Sequence, residues 1–245
     1  MRVRFLPILL AVAGSVHAAD TFNVGHRVIP DDSQPAAASP MAWHYRLLQT
    51  AQDLFEKKVD AQAPGAAMTF RLPKVDPART DNNQVEIVQA GRHIPLPMVS
   101  ATTFAFVRDT EAAETNAMVV VNRNFPGGER YHPTVQVRSP GLPNGVSRMG
   151  DLRLACAAQM AMAKAEGFKF WAALATASLF GLEVCDKLEV TKLDAPAGPY
   201  DTVTIEDGDR RLVMPAADRN LPRLGDKDWS DNARISYTLN NRITQ

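Results

Sequence analysis

This chain has few cysteines and no net charge, and each shortage excludes a class of function. Two cysteines in 245 residues are too few for a cysteine metal site or a multi-disulfide scaffold. Cys156 and Cys185 are also too far apart for a thiol-redox motif, which needs close neighbours. Basic and acidic residues number 27 each. That balance gives no electrostatic pull toward nucleic acid or an anionic membrane, and the basic residues are scattered rather than clustered. No nucleic-acid partner is expected.

Catalytic constellations are missing as well. Beyond the leader described below, His26, His44, His93 and His132 show no metal-ligand spacing. Ser139 precedes Pro140-Gly141 and has no nucleophile-elbow context. Gly127-Gly128 and Gly141 lack the lysine and following helix of a phosphate cradle. Asp207 with Asp209 and Asp226 with Asp228 sit in turns, without the further ligands that calcium requires. No catalytic, cofactor-binding or metal-binding residues are assigned, and no cofactor is expected.

No long uncharged apolar run follows the N-terminus. The first residues carry Arg2 and Arg4, then the apolar stretch Phe5 to Ala13, then Val16-His17-Ala18. This is the pattern of a secretory signal peptide with cleavage after Ala18. The apolar stretch is about half of the ~20 residues that span a bilayer. A periplasmic or secreted protein with no membrane span in its mature chain is expected. In that compartment Cys156 and Cys185 are expected to pair. The bridge closes a loop of about 30 residues, worth roughly 3–4 kcal/mol by chain entropy.

The organisation expected is residues 1–18 as signal peptide, 19–40 as a flexible arm, and 41–245 as one globular α+β domain. Ser39-Pro40 reads as the start of a helix running to about Lys58. Trp43, Leu47, Ala51 and Leu54 form its seam, widened by Leu48 and Phe55. From Met68 the period changes to two. Strands are expected at 69–72, 85–89, 92–96, 103–108, 117–122 and 134–138, with an exposed loop over 110–116. Asp151 is expected to cap a helix from Leu152 to about Glu166, with Gly167 stopping it. A second helix, Phe168 to Phe180, is apolar nearly all round. It reads either as core or as a contact surface. Strands resume at 188–193, 202–206, 211–214, 221–224 and 233–239, with Asp207-Gly208 as a hairpin turn.

The two β-rich parts resemble each other. Val85 to Pro97, VEIVQAGRHIPLP, aligns without a gap with Val203 to Pro215, VTIEDGDRRLVMP. Asn116-Ala117 and Asn232-Ala233 each open a later strand. The fold class expected is α+β. Two related antiparallel, sandwich-like β units, 68–140 and 187–240, carry an N-terminal helix and an inserted helical hairpin, 150–182, stapled by one disulfide.

The polar residues singled out as binding candidates are Arg148, Asp151 and Arg153, beside Cys156, and His132 in the loop RYHP. Two arginines flanking an aspartate suit a carboxylate or phosphate. The function these features support is a non-enzymatic binding or accessory module for another envelope protein or a cell-wall component. The alternative is a hydrolase assembled from distant loops, with His132 and a carboxylate such as Asp151 or Asp109.

Overall fold

The structure, a computed structural model, describes residues 39–72, 83–125, 132–166, 184–191, 200–218 and 220–239. The expectations for the signal peptide, for most of the N-terminal arm and for the Phe168–Phe180 helix lie outside these residues. The described chain is a mixed α/β fold with three antiparallel sheets of four strands each. Among the described residues no helix is long and apolar enough to cross a membrane.

Strand β1, Ser39–His44, stands where a helix start was expected. Met41, Trp43 and Tyr45 are buried and alternate with exposed Ala42 and His44. That period of two fits a strand, and the buried face outweighs the Ser-Pro capping signal. Helix α1, Tyr45–Gln62, follows directly. Its capping residue His44 makes no side-chain bond to the helix N-terminus, and the Tyr45 N–H donates to the Ala117 carbonyl at 2.7 Å. Leu47, Leu48, Ala51 and Phe55 bury the expected face.

Sheet 1 runs β1–β7–β3–β4, with β3 Val85–Gln89, β4 Arg92–Pro95 and β7 Met118–Phe125. Ala90 and Gly91 turn the hairpin with φ of 44° and 84°. Two positive φ values are the signature of a type I′ turn, which follows strand twist. Sheet 3 runs β5–β6–β2–β8, with β2 Ala67–Arg71, β5 Met98–Ser100, β6 Thr103–Phe104 and β8 Thr134–Arg138. Trp43, Phe70 and Phe104 stack between these two sheets, at centroid distances of 6.4 Å and 5.5 Å. Sheets 1 and 3, α1 and part of helix α3, Met149–Glu166, share one apolar core.

Two expectations change in this part. The strand expected over 103–108 ends at Phe104, because Tyr45 captures the backbone beyond it. The Tyr45 hydroxyl donates to the Val107 carbonyl at 3.0 Å and accepts from the Asp109 N–H at 2.8 Å. The exposed loop expected over 110–116 is helix α2, Thr110–Thr115. Asp109 caps it by accepting from the Ala112 N–H, and Asn116 ends it in the left-handed region.

Sheet 2 runs β9–β12–β10–β11, with β9 Val146–Arg148, β10 Tyr200–Asp207, β11 Arg210–Pro215 and β12 Arg234–Leu239. Helix α3, Met149–Glu166, follows β9. The hairpin turn falls on Gly208-Asp209, one residue later than expected, with positive φ only at Gly208. That sign pattern belongs to type II′. Of the strands expected at 188–193 and 221–224, the described residues form one bridge, Glu189 to Arg223. A short helix α4, Val184–Lys187, precedes it. A second core fills this half, around Met149, Val203, Ile205, Trp229 and Ile235.

Sheets 1 and 2 share order and register. Ile87 faces Ile94 and Val119; Ile205 faces Leu212 and Ile235. Trp43 faces Val119, as Ser147 faces Ile235. The Tyr45 N–H reaches the Ala117 carbonyl at 2.7 Å, and the Met149 N–H reaches the Ala233 carbonyl at 2.8 Å. Both helices span 18 residues. So α3 occupies in the second half the place that α1 holds in the first. In chain order sheet 2 takes β9 from before α3 and its other strands from after it. The second half begins at β9, a three-residue strand too short to register in the sequence pattern.

Candidate functional site

Helix α3 is covered on two sides. Leu154, Ala155, Ala158 and Met162 enter the first core, while Met149, Leu152 and Cys156 enter the second. A third stripe remains: Arg153, Ala157, Met160, Ala161 and Lys164, at helical spacing. From α1, Leu54, Lys58 and Gln62 form a matching stripe. The helices pack against each other. Together with Val184 to Asp186 and the loop from Leu224 to Asp231, the stripes enclose a cleft of about 800 Å³. Its apolar lining includes Leu54, Met160, Ala161, Val184, Leu224 and Trp229. Lys58, Lys164 and Lys227 are exposed around it.

The disulfide Cys156–Cys185 exists and holds α4 beside α3, with Cα atoms 5.9 Å apart. Cys185 itself lines the cleft. Arg153 fixes the opposite loop. Its Nε donates to the Leu224 carbonyl at 2.7 Å, and its Nη2 to the carbonyls of Asp226 at 2.7 Å and Trp229 at 3.0 Å. Its Nη1 meets the Asp231 carboxylate at 2.6 Å. The planar fork of arginine suits this set of acceptors; an ammonium does not match it. The Arg210 guanidinium sits 4.0 Å over the Trp229 ring from the other side.

Arg148 bonds the same loop. Its Nε donates to the Asp231 carbonyl at 2.9 Å and its Nη2 to the Gln62 carbonyl, at the end of α1, at 2.8 Å. Gly150 lies between those two carbonyls, and its N–H reaches the Asp231 carbonyl at 3.0 Å. A Cβ there would overlap the Gln62 carbonyl oxygen, so only glycine fits without displacement.

Asp151 goes elsewhere. The helix begins two residues before it, so it is not the capping residue that was expected. It is 1% exposed, and its carboxylate accepts from the Ser139 N–H at 2.8 Å and the Ser139 hydroxyl at 2.7 Å. Burial pushes its pKa up. The two Ser139 bonds, and the charges of Arg148 and Arg138, oppose that shift. The structure therefore brings Arg148 and Arg153 together at Asp231, while Asp151 of α3 binds Ser139 on the connection after β8.

His132 pairs with a carboxylate, but with neither of those expected. Its Nε2 lies 2.9 Å from Glu166 Oε2, and both side chains are about one-third exposed or less. Asp109 is engaged in capping α2. Neither His132 nor Glu166 lines the cleft. The aspartate turns satisfy themselves. Asp207 accepts from the Ser230 N–H and hydroxyl, each at 2.7 Å, and Asp226 accepts from the Asp228 N–H at 3.1 Å.

Sequence reasoning missed Lys58, Lys164, Lys227, Trp229 and Asp231 as parts of one place. The stripe on α3 was available from its period. The loop contribution was not, because nothing local in 224–231 says which helix it faces. No family model, curated protein or solved structure matches the chain.

Proposed function

We propose that this chain is an exported, non-enzymatic binding module of the cell envelope, with its ligand site in the cleft between α1 and α3. The observation that carries the reading is the cleft itself. It has the size of a small-molecule site and a lining that mixes apolar side chains with polar and charged ones, which can orient and hold a ligand. A signal-peptide-like N-terminus and a disulfide support an oxidising compartment outside the cytoplasm. The ligand would come from another envelope protein or from a cell-wall component.

The shared order and register of sheets 1 and 2 support a tandem duplication of one β-α-β-β-β unit. In this reading sheets 1 and 3 pack as a sandwich around the first core. The cleft then arises where the helices of the two copies meet, so the duplication creates the site.

The test is native mass spectrometry of protein exported to the periplasm and purified without detergent. A retained or added small molecule bound at one site per chain, and lost in Ala161→Trp, supports the reading. Binding that persists when tryptophan fills the cleft refutes the site. Protein held in the cytoplasm with Met1 intact refutes the compartment.

The hydrolase alternative rests on the His132–Glu166 pair, an arrangement that could orient a general base. Any hydrolytic turnover that His132→Ala abolishes would favour it.

A further inference from the structure

We infer that Asn144 is a self-modification site: its carboxamide condenses with the backbone nitrogen of Gly145 and is converted, with water as the co-reactant, to isoaspartate and aspartate. The inference stands apart from the cleft. Asn144-Gly145 is the one asparagine–glycine pair in the chain, and it forms the tip of the turn between β8 and β9. The Val146 N–H donates to the Pro143 carbonyl at 3.2 Å, and Gly145 has a φ of 75°. A bond from the fourth residue back to the first, with positive φ at the third, makes a type II turn. That bond leaves the Gly145 N–H out. Asn144 and Gly145 are both exposed, and nothing lies within 4 Å of where a Gly145 Cβ would stand. The carboxamide and the nitrogen therefore meet without a side chain in the way.

The ends of the turn are held and its tip is not. Arg138 Nη2 donates to the carbonyls of Leu142 and Pro143, each at 2.8 Å, and its Nη1 donates to the Val146 carbonyl at 3.3 Å. The Asn144 side chain makes no hydrogen bond among the described residues. Other asparagines are tied. Asn83 Nδ2 donates to the Ala101 carbonyl at 2.6 Å, and the side-chain oxygens of Asn116 and Asn122 accept from the N–H groups of Arg46 and Gln84. Asp207-Gly208 offers a similar attack, but the Asp207 carboxylate is held by the Ser230 N–H and hydroxyl, each at 2.7 Å.

The Gly145 nitrogen attacks Asn144 Cγ. A Cγ–N bond forms, the Cγ–Nδ2 bond breaks, and the amide proton leaves with Nδ2 as ammonia. Water then opens the cyclic imide. Attack at Cγ breaks the new bond and gives aspartate. Attack at the backbone carbonyl carbon of Asn144 breaks the original peptide bond, and the chain then runs through Cβ and Cγ as isoaspartate. Either product adds negative charge two residues before β9, and isoaspartate also lengthens the backbone there by a methylene.

The test holds the oxidised, exported protein at mildly alkaline pH in heavy-oxygen water. It is then digested with trypsin in ordinary water at mildly acidic pH, and the 139–148 peptide, whose one asparagine is Asn144, is followed by mass spectrometry. That peptide should lose ammonia, gain one heavy oxygen and yield more isoaspartate than aspartate. Conversion should be roughly tenfold or more faster than at Asn83, Asn116 or Asn122, because the exposed tip is left free. It should lie within about tenfold of a synthetic peptide of the same sequence. Gly145→Ala should slow it roughly tenfold or more, since a Cβ crowds the attacking nitrogen. Asn144→Gln should remove the product and leave the thermal unfolding midpoint unchanged. An unmodified 139–148 peptide when the synthetic one has fully converted overturns the inference. So do equal rates at the tied asparagines, a product without heavy oxygen, or a Gly145→Ala protein that converts as fast as the parent.

Discussion

Arg153 on α3 meets Asp231 in the second half's last loop at 2.6 Å, and the same guanidinium binds three backbone carbonyls of that loop. One side chain thereby sets one wall of the cleft. Removing it leaves a half-buried carboxylate and three carbonyls without their donor. Arg153→Ala is expected to destabilise the protein by about 1.5–3 kcal/mol, the range for hydrogen bonds to charged groups. Arg153→Lys should recover only part, because an ammonium cannot match the fork. Urea unfolding of the oxidised protein measures both. An Arg153→Ala variant within about 0.5 kcal/mol of the parent would mean that the loop holds its place without Arg153.

The disulfide closes a loop spanning 29 positions and tethers α4 to α3. Replacing both cysteines by alanine should lower stability by roughly 3–4 kcal/mol. Non-reducing peptide mass spectrometry should recover Cys156 and Cys185 in one linked species. Two free thiols in exported protein would remove the tether from the account.

Gly150 is where the start of α3 passes the end of α1. Gly150→Ala places a methyl against the Gln62 carbonyl and the Asp231 backbone. Overpacking of this kind costs about 1–3 kcal/mol, although alanine is the better helix former. Thermal unfolding should show a lower midpoint. A raised midpoint would mean that the two helices separate more easily than their contact implies.

The buried Asp151 makes stability depend on pH in a defined direction. Its pKa is raised in the folded protein, chiefly by burial. The folded state therefore holds the proton to higher pH than the unfolded chain does. The associated stability is fully present below the ordinary carboxylate value and is lost as pH rises through the raised one. Asp151→Asn should abolish that part of the profile. Asp207 behaves oppositely. The Ser230 N–H and hydroxyl lower its pKa, so its contribution is lost as pH falls. Stability profiles of the two variants, Asp151→Asn and Asp207→Asn, should change in opposite senses across the carboxylate range.

Local pattern carried much of the fold. Thr134 to Arg138 alternates strictly and Val85 to Gln89 nearly so, and both are strands within those bounds. The matched hairpins were legible because Val85, Ile87 and Leu96 recur as Val203, Ile205 and Met214. What escaped was decided by distant partners. β9 is three residues long and exists because Arg234 to Ser236 pairs with it. Residues 105–109 leave the sheet because Tyr45, far away in sequence, binds their backbone. The arginines at 148 and 153 were recognisable as a cluster, but their acceptors lie more than seventy positions away in the chain. The same holds for the cleft, where α1, α3 and the last loop come together only after folding.

The most direct test of the cleft as a ligand site is hydrogen–deuterium exchange on the exported protein, with and without a saturating amount of the small molecule that native mass spectrometry finds bound. Slowed exchange is expected in the second half of α1, in α3 from Arg153 to Lys164 and in the loop from Leu224 to Asp231, with β3 and β4 unchanged. Protection confined to another surface, or no protection with ligand demonstrably bound, would contradict it.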